Sequence, residues 1–177
     1  MKKNLLTTVL ASVSVVFSLC GCLSSGGEIG EKIWSQADRI EYHFNDSSVP
    51  PDCHRSYTLV ITPESAKIKV TSYGDKLLDK TYGIDSEQFR KVVEELRGLG
   101  IRKQRSRDVN PCSGGTTEVF RLYAGTTNLF DGFQDNCEER RSTMIVAKKS
   151  IPDVLDMVFP KSVKALVDET RKDRLDI

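Results

Sequence analysis

Two hydrophobic periods alternate along this chain. Over residues 38–44, Ile40, Tyr42 and Phe44 alternate with Arg39, Glu41 and His43, the two-residue period of a half-buried strand. The same period recurs over 56–62, where Tyr57, Leu59 and Ile61 share a face, and over 67–73, through Ile68 and Val70. Pro63-Glu64-Ser65 and Tyr73-Gly74-Asp75 supply turns, the second leading into a short strand over 77–82. These four segments predict an antiparallel meander.

After Asp85 the period lengthens. Phe89, Val92, Val93, Leu96 and Leu99 form one helical stripe; Asp85 and Gln88 have capping-box spacing, and Gly100 ends the run. A polar, strongly basic loop over 102–110 leads through Cys112-Ser113-Gly114-Gly115 to a predicted hairpin, 117–123 and 128–134, and a short strand over 143–147. Ser150 caps a closing helix with Pro152 in its first turn; Pro160 interrupts it, and it resumes through Val163, Leu166 and Val167. Strands, helix, strands, helix is an α+β order, which predicts an antiparallel sheet with helices on one face. The other face of the sheet is then the natural surface for a partner.

The first residues follow neither period. Lys2 and Lys3 precede an apolar run over 5–19 softened only by Thr, Ser and Ala, with no acidic residue before Glu28, the form of a secretory signal. The run is shorter than the ~20 apolar residues a spanning helix needs. Leu19-Cys20-Gly21-Cys22 resembles the bacterial lipobox, with a small residue before the cut and cysteine after it. Residues 1–21 are therefore expected to be a lipoprotein signal, Cys22 the lipidated N-terminus, 22–36 a flexible tether through Ser24-Ser25-Gly26-Gly27, and 37–177 a single domain. Each buried methylene contributes ~0.8 kcal/mol, so several acyl chains make anchoring effectively permanent. Leu23 is not Asp, which by analogy with enteric bacteria sorts the protein to the outer membrane, facing the periplasm.

Charge adds an exclusion. The chain has 26 Lys and Arg against 25 Asp and Glu; without the two signal lysines the mature balance is 24 to 25. That leaves no surplus for tracking a phosphate backbone, and nucleic acid is not an expected partner.

Export makes disulfides expected. Besides Cys22, the mature chain holds Cys53, Cys112 and Cys137, which allow three single pairings and always leave one thiol over. The expected bridge joins Cys112 and Cys137, because they flank the same predicted hairpin. Cys53 is then odd, and read as a partly buried structural cysteine. His54 beside it points to the opposite face of an extended chain and is poorly placed as its base.

The segment Val49-Pro50-Pro51-Asp52-Cys53-His54-Arg55-Ser56-Tyr57, the strands and helix through Leu99, and Cys112-Ser113-Gly114-Gly115 with Cys137 resemble a loose group of uncharacterised bacterial lipoproteins, over about two thirds of the mature chain. In that group the two later cysteines recur while the position of Cys53 is usually another residue, which implies the same bridge. The resemblance implies no activity.

Candidate chemistry is sparse. Gly114-Gly115 lacks the following Gly-Lys-Ser/Thr of a phosphate-binding loop, Ser113 lacks a Gly-x-Ser-x-Gly elbow, and His43, His54 and the cysteines lack zinc-site spacing. Asp131, Asp135 and Glu138 offer carboxylates without a set separation. No catalytic residue, metal or cofactor is assigned. Arg102, Lys103, Arg105 and Arg107 are the strongest charge cluster, offset by Asp135, Glu138 and Glu139 nearby. The expected function is non-catalytic binding of a protein partner in the envelope, as in immunity proteins, inhibitors of lytic enzymes or assembly subunits. The alternatives are binding of anionic polymer or lipid through loop 102–107, and an enzyme with an unrecognised site. The oligomeric state is left open. Trp34 is expected to cap the core rather than touch the membrane.

Overall fold

The computed structural model describes residues 27–106, 114–137 and 141–172, with the Lys172 side chain excepted. The chain runs α1 (Glu31–Gln36), β1 (Arg39–Asn45), β2 (Ser56–Ile61), β3 (Ser65–Ser72), β4 (Asp75–Gly83), α2 (Ser86–Gly98), β5 (Arg102–Lys103), β6 (Thr117–Ala124), β7 (Thr127–Asp135), β8 (Met144–Ile145), α3 (Ile151–Leu155), a 3-10 turn (Asp156–Val158) and α4 (Val163–Lys172). Six strands form one antiparallel sheet in the order β4-β3-β2-β1-β6-β7, and β5 pairs with β8 in a second, two-stranded sheet. The fold is α+β. None of the described helices is long and apolar enough to cross a membrane.

Register explains the core. Ile40 pairs with Ile61 and Leu122, and Tyr42 with Leu59 and Phe120, so one alternating set from each strand converges on a common face. Ala66, Ile68 and Val70 of β3 and Phe130 of β7 extend it. This set joins Phe89, Val92 and Leu96 of α2, Ile151, Val154 and Leu155 of α3, and Val163, Leu166 and Val167 of α4 in one buried cluster. The capping box at the start of α2 is formed: the Gln88 amide donates to Asp85 at 2.8 Å, and the Asp85 amide to the Gln88 side chain at 2.9 Å. Between β3 and β4, Tyr73 and Gly74 both have positive φ (48° and 95°), the conformation that tight hairpin turns need to match strand twist.

Two expectations are corrected. The stretch 22–36 is not all tether: Ile29 and Trp34 are buried, Glu28 bridges to Arg102, the Ile29 amide donates to the Ile101 carbonyl at 3.1 Å, and the Trp34 ring lies 6.3 Å from that of Phe120. The folded domain therefore includes residues from 28 onward, and Trp34 belongs to its core. Nor is 102–110 all loop. Arg102 and Lys103 form β5 opposite Ile145 and Met144.

The C-terminal helix is tied to the loop before β2. Arg55, 1% exposed, donates to the His54 carbonyl at 2.6 Å, the Pro51 carbonyl at 3.2 Å and two Thr170 oxygens, while Asp46 accepts from the Arg55 amide at 2.8 Å.

Candidate functional site

The alternate residues of the same strands make the second face of the sheet. In register, Glu41 lies between Val60 and Arg121, His43 between Thr58 and Val119, and Lys67 and Lys69 oppose Thr81 and Asp79. These residues are half-buried or exposed. Across the middle strands their charges form a chain of alternating sign. Arg39 pairs with Glu41 at 3.1 Å, Glu41 approaches His43 at 3.7 Å, Arg121 reaches His43 at 3.5 Å, and Arg121 pairs with Asp131 at 3.1 Å. The Arg39 guanidinium also covers the Tyr123 ring, 4.0 Å from its centroid.

This lattice sets the state of His43. Nε2 faces both Arg121, which can only donate, and the Glu41 carboxylate, which can only accept, while Nδ1 hydrogen-bonds Thr58 Oγ1 at 3.1 Å. Burial, reinforced by the Arg121 charge, lowers the His43 pKa below 6.5, and Glu41 and Asp131 oppose the shift.

At the β6–β7 side of the face lies an open groove of about 540 Å³. Val119 and Phe133 give it apolar walls, Arg121 and Asp131 a charged end, and Lys103 projects from β5 along its rim. The residue just before β8 closes the sheet edge: the Thr143 amide donates to the Phe133 carbonyl at 2.8 Å, and the Phe133 amide to Thr143 Oγ1 at 2.9 Å. Apolar walls with a few fixed charges suit a side chain or short extended segment of a partner.

A smaller cavity of about 260 Å³ lies between loop 46–55 and the helices, lined in part by Phe44, Tyr57, Asp153, Asp156 and Lys164. Phe44 and Tyr57 stack there with centroids 5.1 Å apart. Burial raises the hydroxyl pKa of Tyr42 and of Tyr57 above the ordinary tyrosine value, keeping both neutral. Burial also raises the Asp156 pKa, with Asp153 adding to it and the hydrogen bond from the Val163 amide opposing it.

No protein-family model matches the chain, and no curated protein or solved structure is significantly similar to it.

Of the residues singled out in the sequence, Arg102, Lys103 and Arg105 are exposed, and Lys103 alone of these lines the groove. Arg107, Cys112, Ser113 and Cys22 lie outside the described residues. Cys137 is disulfide-bonded. Cys53 is a free thiol and exposed, not the partly buried residue expected, because it sits in the turn after Pro50-Pro51 rather than on β2. His54 is buried against Tyr73, rings 4.1 Å apart; its Nδ1 accepts from the Tyr73 amide and its Nε2 donates to Ser56 Oγ, so the two histidines have separate surroundings. Asp135 is buried, accepts from Arg141 at 2.9 Å and from the Cys137 amide at 3.0 Å, and lies apart from Asp131 on the open face. Ser106 donates to the Arg141 carbonyl at 2.7 Å, bringing the end of the basic segment to the same strand end.

Sequence reasoning did not single out Arg121, Val119 or Phe133. Arg121 lay in the outward half of the β6 alternation, while Val119 and Phe133 are apolar residues on that same half and blurred it. That half became a site only once β6 was seen to pair with β1.

Proposed function

We propose that this chain is a lipid-anchored envelope protein, held through Cys22 and facing the periplasm, whose domain binds a protein partner without catalysis. The partner seats on the second face of the sheet, the four helices covering the first. The observation that carries this reading is the groove bounded by Val119 and Phe133 and flanked by Lys103, Arg121 and Asp131. A solvent-facing sheet surface of this kind serves as a recognition platform because its strands hold side chains at fixed spacing. Charges of both signs beside apolar walls fit a protein surface, where electrostatic complementarity sets specificity and register. The immunity, inhibitor and assembly roles share this format, as does the resemblance to uncharacterised bacterial lipoproteins. The disulfide completing the hairpin is Cys112 with Cys137.

A second reading, binding of anionic polymer or lipid through Arg102, Lys103, Arg105 and Arg107, is supported by the exposure of the first three. The two readings separate in one experiment. A photo-crosslinking amino acid at position 133, and another at the exposed Glu94 as a control, are introduced into the full-length protein in its native envelope. Discrete protein adducts from position 133 and none from position 94 support the protein partner. Adducts from neither, together with cosedimentation on anionic vesicles that is lost in the Arg102→Gln/Lys103→Gln/Arg105→Gln/Arg107→Gln variant, replace it with the second reading.

A further inference from the structure

The strand β4 ends the six-stranded sheet, and among the described residues no strand pairs with its outer side. Such an edge presents unpaired backbone donors and acceptors, and proteins ordinarily blunt it with charges and bulges. β4 has both. Its sequence from Asp75 is Asp-Lys-Leu-Leu-Asp-Lys, and it carries a bulge: Lys76 pairs with Thr71 and Leu78 with Val70, leaving Leu77 as the extra residue. The arrangement of these two features selects one partner.

We infer that β4 pairs antiparallel with β4 of a second copy of this chain, about a two-fold axis normal to the sheet between Leu77 and Leu78. In that register Asp75 faces the partner copy's residue 80, a lysine, and Lys76 faces its residue 79, an aspartate; by symmetry each ion pair occurs twice. Leu77 and Leu78 meet their counterparts at the axis.

The bulge makes this register geometrically allowed. Residues that face each other across two strands lie on the same side of the sheet, and a two-fold axis normal to the sheet preserves sides. In a regular strand, positions 76 and 79 point to opposite sides, so they could not face each other across such an axis. With Leu77 inserted, Lys76 and Asp79 both lie on the side of Thr71 and Lys69, and Asp75 and Lys80 both on the side of Ser72 and Ile68. The extra residue therefore puts each acid and its complementary base on matching sides.

Side and charge together exclude the neighbouring registers. A two-fold at Leu78 would bring Lys76 to a second residue 80, also lysine, and a two-fold at Leu77 would bring Asp75 to a second residue 79, also aspartate; each pair carries like charge and lies on opposite sides of the sheet. Like charges directly opposite are destabilising. Asp75 and Lys80 have no ion-pair partner within the described chain, whereas Asp79 already pairs with Lys67 at 3.1 Å and Lys76 at 3.9 Å. The first two charges are thus free for a contact between copies. The contact is small, which fits a weak, reversible dimer with Kd on the order of 10–100 μM. It leaves the groove open and stands independently of the partner reading above.

A charge swap tests it. Sedimentation equilibrium of the full-length chain in density-matched mild detergent, over a concentration series, measures the dimer constant for wild type, Asp75→Lys, Lys80→Asp and the double variant. Asp75→Lys sets lysine against Lys80 twice, and Lys80→Asp sets aspartate against Asp75 twice; each single change is expected to weaken the dimer at least about tenfold. The double variant restores opposite charges and is expected to return to within a few-fold of wild type. A wild-type chain monomeric up to ~1 mM overturns the inference, as does a dimer equally strong in all four proteins or a double variant as weak as the singles. Circular dichroism on the same samples separates dissociation from unfolding.

Discussion

Arg55 donates from Nε to the Thr170 hydroxyl at 2.8 Å and from a terminal nitrogen to the Thr170 carbonyl at 3.0 Å, joining residues 115 positions apart. The same guanidinium holds the Pro51 and His54 carbonyls. One planar donor group therefore closes the turn before β2 and anchors the last turns of α4. Arg55→Ala strips a buried set of oxygens of their donors and opens a void; a loss of about 3 kcal/mol or more in urea unfolding is expected. Arg55→Lys recovers less than half, since an ammonium lacks the fork that reaches both Thr170 oxygens at once. A full recovery by lysine would mean that charge rather than geometry matters there.

At the other end of the sheet, Gly132 is buried where β7 meets the segment before α3. A Cβ there would stand 2.9 Å from Met144 Cβ and 2.9 Å from the Phe130 ring. Alanine has a small entropic advantage over glycine in a strand, roughly 0.5–1 kcal/mol, but these contacts force neighbours apart in a packed core at a cost of ~1–3 kcal/mol. Gly132→Ala is expected to lower the urea midpoint. An unchanged midpoint would show that Met144 and β8 yield freely.

Asp156 tests a buried charge whose sign is easily misjudged. Its carboxylate accepts from the Val163 amide at 2.6 Å, at the start of α4, a position where negative charge is ordinarily favourable. Burial nonetheless raises its pKa above the unfolded value of 3.8. A carboxyl raised in the folded state contributes stability at low pH that is lost as pH rises through the folded pKa. Asp156→Asn keeps an acceptor oxygen without the charge, so the variant is expected to gain stability at pH 7, the gain vanishing near pH 3.5. A loss at pH 7 would mean that the helix-end charge outweighs its desolvation.

The sequence made much of this fold readable, for physical reasons particular to each element. In β1, the alternation of Ile40 and Tyr42 with Glu41 and His43 survived because one face is packed and the other wet. The α2 cap was visible because Asp85 and Gln88 must stand three apart to serve each other's amides. By contrast α1 buries essentially Trp34 alone and follows a Ser-Gly stretch, so nothing periodic separated it from a tether. Both residues of β5 are exposed, which hid a strand inside a basic run. Least readable was the pairing of β1 with β6: alternation says that a strand is half-buried and says nothing of its neighbour. The open-face chain from Arg39 to Asp131 exists only through that pairing.

The thiols give a direct count. Cys53 is exposed and free, and Cys137 is bonded. With Cys112 as its partner and Cys22 acylated, non-reduced protein is expected to react with one equivalent of a maleimide in the native state and no more after denaturation. Reduction should expose two further thiols and cost up to about 3.5 kcal/mol of stability. A second thiol released by denaturant alone would remove either the Cys112 pairing or the acylation of Cys22, and mass spectrometry of the labelled peptides says which.

His43 carries a pH dependence that the lattice around it dictates. Its Nε2 lies 3.5 Å from the Arg121 guanidinium and 3.7 Å from the Glu41 carboxylate, and its Nδ1 hydrogen-bonds Thr58; a second proton would set a charged ring beside the guanidinium. Glu41 and Asp131 favour that proton, but burial and Arg121 outweigh them, so the folded pKa lies below the unfolded 6.5. A base depressed in this way leaves stability intact above pH 6.5, and stability falls as pH drops from there toward the folded pKa, where the unfolded chain binds the extra proton. The ring is partly open to solvent, so the effect is expected to stay below about 1 kcal/mol. His43→Gln cannot take a proton, and the stability of wild type minus variant should decline between pH 7.5 and 5. The His43 Cε1 proton resonance, followed by NMR, should titrate below pH 6.5. A midpoint above that value would show that the carboxylates, and not Arg121, govern the open face.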